Sequence, residues 1–270
     1  MRKYMYLVML LLCTGLLGSA AHAQTPGQPV SSKEPLNRKT LDVSDYFSGY
    51  NGMFLLRDVK KGKTFVYNSD RAKTRLTPES TFKIPNALIG LQVKAVRDEY
   101  DVKRWDGVVR EIDAWNRDHT LGSAMRESAV WYYQTMARDI GEERMTEWLQ
   151  KISYGNRDIS GGIDQFWLGS SLQISPLEQA DFLEKLYKEE LPFDKPVMKT
   201  VKRMMIQDEG DHFTLYGKTG SNAAGDLGWY VGFIETDKHA YVFVTNLNGT
   251  GADAKKITVE ILKKSKMMAE

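Results

Sequence analysis

The chain has 270 residues, 42% hydrophobic and 27% charged, which suits one large globular domain or two closely packed lobes with a sizeable core. Without Arg2 and Lys3 the 37 basic side chains fall to 35, equal to the 35 acids, so nothing in the charge asks for nucleic acid or an anionic membrane. The only cysteine is Cys13. If it leaves with the leader described next, the mature chain has no disulfide, no thiol nucleophile and no cysteine metal ligand.

Residues 1–23 read as an export signal. Arg2 and Lys3 give a positive start, an apolar stretch runs from Tyr4 to Leu17, and Ala21-His22-Ala23 supplies a small-x-small cleavage pattern before Gln24. A lipoprotein anchor on Cys13 fits less well, because Leu12 stands where a small residue is expected. A membrane anchor is the competing reading, but the stretch is short and Gly15 and Gly18 interrupt it. No later segment has enough consecutive apolar residues to span a membrane, so the mature protein is expected in the periplasm or the extracellular medium. Residues 24–44, rich in Pro, Ser, Gln and Lys, read as a flexible lead-in, and the domain is expected from residue 45 to 270.

Gly52–Asp58 and Thr64–Asn68 form an expected strand pair around the Lys60-Lys61-Gly62-Lys63 turn. Helical patterns dominate from Ser80 to about Lys188. Leu88, Ile89, Leu91 and Val93 follow Ser80, and Met136, Ile140, Met145 and Trp148 keep helical spacing around Gly141. Strands return at His212–Gly217, Leu227–Ile234 and Ala240–Asn246, and Ala252–Met267 reads as an amphipathic closing helix. The fold class is α+β: a mainly antiparallel sheet built from both chain ends, with a helical lobe inserted and a groove where they meet. His119, His212 and His239 lack any metal-ligand spacing and read as surface or loop residues, so no metal site is expected.

The chemistry starts at Pro78-Glu79-Ser80-Thr81-Phe82-Lys83-Ile84-Pro85. On a helix beginning near Ser80, Lys83 lies on the same face and reaches the hydroxyl. Apolar neighbours would lower its pKa, and a neutral amine can activate a hydroxyl nucleophile. By itself S-x-x-K is a weak signal and reads as an N-cap serine and a solvated lysine. Lys218-Thr219-Gly220, followed by Ser221 at a strand end, changes the balance: the pair of motifs is the signature of serine β-lactamases and penicillin-binding proteins. The lysine supplies positive charge for a substrate carboxylate, the threonine hydroxyl donates to it, and the glycine lets substrate lie against the strand. Between them stands Ser128-Ala129-Val130, whose third residue is apolar where S-D-N or Y-x-N is common.

With Tyr154-Gly155-Asn156 and Gln165-Phe166-Trp167-Leu168 added, the chain resembles the class D, oxacillinase-type serine β-lactamases across roughly Tyr46 to Lys264. The resemblance implies a β-lactamase/transpeptidase-like fold and hydrolysis of a small-molecule β-lactam through acyl-Ser80. It implies no cofactor beyond the carbon dioxide or bicarbonate that carbamylates Lys83 as general base. It further implies that Trp167 donates to the carbamate, and that Val130 and Leu168 cover it. Ser128, helped by Lys218, would pass the proton to the lactam nitrogen, and the N–H groups of Ser80 and Ser221 would form the oxyanion hole. Many members carry a carboxylate-binding arginine where this chain has Ala254; Lys255 or Lys256 could replace it, or Lys218 and Thr219 could suffice. A sensor domain or a D,D-peptidase that acylates but releases slowly remains the alternative.

Overall fold

In the computed structural model residues 42–268 are described, and the export signal and nearly all of the lead-in lie outside them. The central sheet is made by β1 (Gly52–Asp58), β2 (Lys63–Tyr67), β5 (Ile206–Gly210), β6 (Phe213–Ser221), β7 (Gly228–Thr236) and β8 (Ala240–Leu247). Its order is β2-β1-β8-β7-β6-β5 and every neighbouring pair is antiparallel. The two N-terminal strands thus join the four C-terminal ones through β1 and β8, where Leu55 stands opposite Val244.

The apolar runs of β1, β7 and β8 are continuous because both faces are covered. Met53, Leu55, Val231, Phe233, Val242 and Val244 face the helical lobe. Their alternates Phe54, Leu56, Tyr230, Ile234, Phe243 and Leu247 face the closing helix α7 (Gly251–Lys264). That alternation is the period of two that a pleated strand imposes.

The lobe inserted between β2 and β5 holds α1 (Lys83–Gln92), α2 (Leu121–Arg126), α3 (Val130–Ile140), α4 (Glu142–Lys151), α5 (Pro176–Tyr187) and α6 (Lys195–Met204), with a small ribbon of β3 (Val102–Lys103) and β4 (His119–Thr120). Capping boxes start three of the helices: Thr120 with Ser123, Ser175 with Glu178, and Thr250 with Asp253. Gly141, at φ 82°, separates α3 from α4.

Several expectations change. The segments 93–120 and 152–175 are mostly non-helical, so the lobe is less helical than its apolar spacing suggests. α6 lies beyond Lys188; only Met198 and Val201 are buried on it, too narrow a stripe to stand out in a lysine-rich stretch. His119 is not a surface residue. It is buried, with Nδ1 2.9 Å from Ser123 Oγ and Nε2 2.8 Å from Ala114 O. One partner is a backbone carbonyl, which residue spacing does not encode.

Candidate active site

The helix expected at Ser80 starts later. Glu79–Phe82 is a short 3-10 turn, and α1 begins at Lys83. Behind this turn Phe82 is fully buried among Tyr154, Phe166 and Trp167, at ring-centroid distances of 5.8, 5.0 and 5.3 Å. Offset and edge contacts of this kind add about 0.5–1.5 kcal/mol per pair beyond burial. Thr81 Oγ1 donates to Pro78 O at 2.6 Å and accepts from Gln179 Nε2 at 2.9 Å, fixing the turn from α5. Tyr154 belongs to this packing. Gly155 lies against Gln173 O at φ 52°, and Asn156 Nδ2 donates to Ser171 O at 2.8 Å. The Tyr154-Gly155-Asn156 motif therefore supports the turn from behind.

Lys83 is 0% exposed, and its Nζ donates to Ser80 Oγ at 2.9 Å. Burial pushes its pKa well below the ordinary lysine value; the Lys218 charge pushes the same way and the Glu79 carboxyl opposes it. Ser128 sits in the turn between α2 and α3 at φ 58°, in the left-handed region. Its Oγ accepts from Lys218 Nζ at 3.0 Å, and the same Nζ donates to Thr219 O at 3.0 Å. Lys218 is 4% exposed; burial first and the Lys255 charge second lower its pKa to about 7. Each serine hydroxyl is thus paired with its own buried lysine.

The Lys218–Ser221 end of β6 lies against the nucleophile turn. A Cβ on Gly220 would stand 3.1 Å from Pro78 O, 3.2 Å from Thr81 Cγ2 and 3.3 Å from Ser80 N, so only glycine fits without displacement. This contact sets the Gly220 end of β6 against the Ser80 backbone. Gly251 N, at the start of α7, donates to Ser221 Oγ at 2.8 Å. Thr219 is opposite Tyr230, whose side chain packs toward α7, and cross-strand partners share a face.

Trp167 is fully buried, and its Nε1 has no hydrogen-bond partner among the described residues. Val130, the first residue of α3, and Leu168, next to Trp167, are both half-buried. Ala254 is 0% exposed in the α7 core and presents no charge. Lys255 Nζ donates to Gln207 Oε1 on β5 at 2.8 Å and lies 5.8 Å from the Tyr230 ring, whereas Lys256 is exposed.

Two features were not singled out from sequence. Glu79, next to the nucleophile, is 2% exposed. Its only sequence signal is an acid at the head of an apolar run. The segment 105–116 is tied to the Ser128 turn by Trp115 Nε1 donating to Glu127 O at 2.9 Å, and exposes Val108, Val109 and Ile112.

An antiparallel sheet with an inserted helical lobe, and a serine turn facing a Lys-Thr-Gly strand, defines a serine enzyme of the penicillin-binding transpeptidase type. The family profile for the penicillin binding protein transpeptidase domain matches residues 37–265. A curated relative, the "Probable beta-lactamase YbxI" of Bacillus subtilis, is 64% identical over 265 residues, covering 98% of each chain. "Beta-lactamase OXA-48" of Klebsiella pneumoniae is 38% identical, over 90% of this chain and 94% of that one. The solved "Class D beta-lactamase BAT-2" superposes with a TM-score of 0.84 at 69% identity, covering 85% of this chain and 98% of that one. The chain belongs to the class D serine β-lactamases, a family of β-lactam hydrolases.

Proposed function

We propose that this protein hydrolyses β-lactams through an acyl-Ser80 intermediate, with Lys83 carrying a carbamate as general base. The observation that carries the reading is the paired arrangement of Lys83 on Ser80 and Lys218 on Ser128, at 2.9 and 3.0 Å, with both lysines buried.

Ser80 Oγ attacks the lactam carbonyl carbon and gives up its proton toward Lys83, 2.9 Å away. The N–H groups of Ser80 and Ser221 receive the developing oxyanion. As the carbon–nitrogen bond breaks, Ser128 delivers its hydroxyl proton to the lactam nitrogen, and Lys218 replaces that proton. Lys218 suits this relay because its pKa of about 7 lets it hold or release a proton at neutral pH. The proton taken up at Lys83 passes on to restore Lys218; water then attacks the ester carbonyl and gives its proton toward Lys83, and as the bond to Ser80 breaks that proton returns to Ser80 Oγ.

The residues present fit the carbamate. Its formation needs a neutral amine, which burial favours at Lys83, and an anionic oxygen there would find a free donor in Trp167 Nε1. Bound there, carbon dioxide would supply an oxygen base for the serine proton and for the deacylating water. Val130 and Leu168 would limit bulk water around it. Thr219 and Lys218 would hold the substrate carboxylate, with Lys255 adding positive charge.

The test is time-resolved intact mass of residues 24–270 with a small excess of benzylpenicillin in bicarbonate, using Ser80→Ala as blank. The expected result is an adduct that appears and then decays. A persistent adduct would match the sensor or slow peptidase alternative, and no adduct would remove the acyl-serine reading. Export is part of the proposal: the mass of the secreted product should begin at Gln24, and retention of residues 1–23 would refute it.

A further inference from the structure

Glu79 is an expensive residue to place where it stands. Its backbone adopts φ 52°, a left-handed conformation that costs a non-glycine residue about 1 kcal/mol or more. Its carboxyl is 2% exposed, and burial pushes its pKa up. It has no ion pair within contact distance among the described residues; it makes three hydrogen bonds instead. Oε1 accepts from Thr77 Oγ1 at 2.6 Å and from the Gly169 N–H at 2.9 Å, while its own backbone N–H donates to Trp167 O at 3.1 Å. Two of these bracket the residues Trp167, Leu168 and Gly169. The third ties the carboxyl back to the chain just ahead of Ser80. Gly169 is itself left-handed, at φ 58°, so the bracketed segment is a bent loop that its own backbone does not hold straight.

We propose that Glu79 is a positioning residue: its side chain and backbone clamp the Trp167–Gly169 segment onto the nucleophile turn, and so set where the Trp167 indole N–H and the Leu168 side chain lie relative to Lys83. This inference rests on the carbamate reading above. Trp167 stacks on Phe82, the neighbour of Lys83, at 5.3 Å, but stacking leaves the ring free to slide in its plane. The clamp removes that freedom, because Trp167 C=O and Gly169 N–H are both fixed to one residue. Of the side chain only the acceptor atom Oε1 enters the clamp, so a glutamine amide can reproduce that half, whereas alanine keeps only the backbone bond to Trp167 O.

The test uses the whole mature protein and isotope-labelled bicarbonate. NMR of the carbamate carbon gives the bicarbonate concentration for half-carbamylation, independently of turnover. Glu79→Ala is expected to raise that concentration about tenfold, the scale of one lost hydrogen bond to a charged group. Glu79→Gln is expected to stay near wild type, rescuing the loss. Glu79→Asp keeps the charge but shortens the reach, and should fall on the alanine side; it stands in if the alanine variant fails to fold. Wild-type carbamylation that is equal in all variants overturns the clamp. Glutamine behaving like alanine also overturns it, because charge rather than position would then matter. Absence of any carbamate signal in the wild type instead overturns the reading on which the inference rests.

Discussion

Lys218→Met separates the cost of a buried ammonium from its chemical use. The lysine is 4% exposed, and its pKa falls from 10.5 to about 7 in the folded chain. Between these values the unfolded state binds more protons than the folded one, so this group makes stability rise with pH. Below pH about 7 both states are protonated and the whole burial cost is present; above about 10.5 both are neutral and it is gone. At 1.36 kcal/mol per pKa unit, the full difference is about 4–5 kcal/mol, of which about 3 kcal/mol develops between pH about 7 and about 9.5. Methionine fills a similar volume without a charge, so it carries no such dependence. Denaturant unfolding of both proteins across this range, taken as wild type minus variant, cancels the titrating groups that do not sense Lys218; Lys83, whose pKa the Lys218 charge lowers, shifts in the variant as well. The wild type should gain about 3 kcal/mol on the variant as pH rises. Parallel curves would mean that Lys218 is solvated well enough to keep an ordinary pKa, and its role as a neutral-pH proton relay to Ser128 would lose its basis. In the same preparations, benzylpenicillin acylation of Lys218→Met should be slowed, since Ser128 Oγ loses its partner at 3.0 Å.

Lys83→Ala should fold yet lose turnover, because Ser80 Oγ loses its contact at 2.9 Å; wild-type deacylation measured by intact mass would refute the base assignment. In the wild type, activity should fall at low pH without bicarbonate, where the Lys83 amine is protonated, and recover on its addition; identical rates with and without bicarbonate would speak against carbamylation. Trp167→Phe keeps the stack on Phe82 and removes an N–H without a partner among the described residues, so unfolding should change by less than about 1 kcal/mol while the bicarbonate demand of activity rises about tenfold. An unchanged demand would exclude the indole as a donor. Gly220→Ala places a methyl 3.1 Å from Pro78 O and 3.3 Å from Ser80 N, and the acylation rate should drop by about tenfold through displacement of the serine turn. An unchanged rate would show that this contact does not set the geometry.

The sheet was legible because its strands are covered on both faces and therefore read as dense apolar runs, as Leu227–Ile234 does. One edge was not: β5, with the sequence Ile206-Gln207-Asp208-Glu209-Gly210, is largely exposed and carries no apolar pattern. The Ser80–Lys83 pair was legible because both residues stand in one short motif, whereas Ser128 and Lys218, 90 positions apart, were paired only by the family resemblance. The turn shapes that serve them were not. Ser128 and Glu79 sit at positive φ, held there by surrounding packing and not by any turn-forming sequence of their own. Glu79 went unnoticed because Thr77 and Gly169, which explain it, stand 2 and 90 positions away, and one of them offers only a backbone N–H.

The charge arrangement gives these separate residues a common purpose. Two lysines approach closely enough for Lys218 to depress Lys83, and Lys255 in turn depresses Lys218. Burial is the larger cause for both lysines and the neighbouring charge adds to it, which drives Lys83 toward neutrality, and a neutral Lys83 is what both a base and a carbon dioxide acceptor require. Glu79 works against this through space, yet it stands beside the pair. Burial raises the Glu79 pKa, which weakens that opposition by favouring the uncharged acid. The buried carboxyl keeps the acceptor atom for Thr77 and Gly169. A freely ionised acid at the same point would raise the Lys83 pKa further, so the burial of Glu79 acts in the same direction as the burial of Lys83.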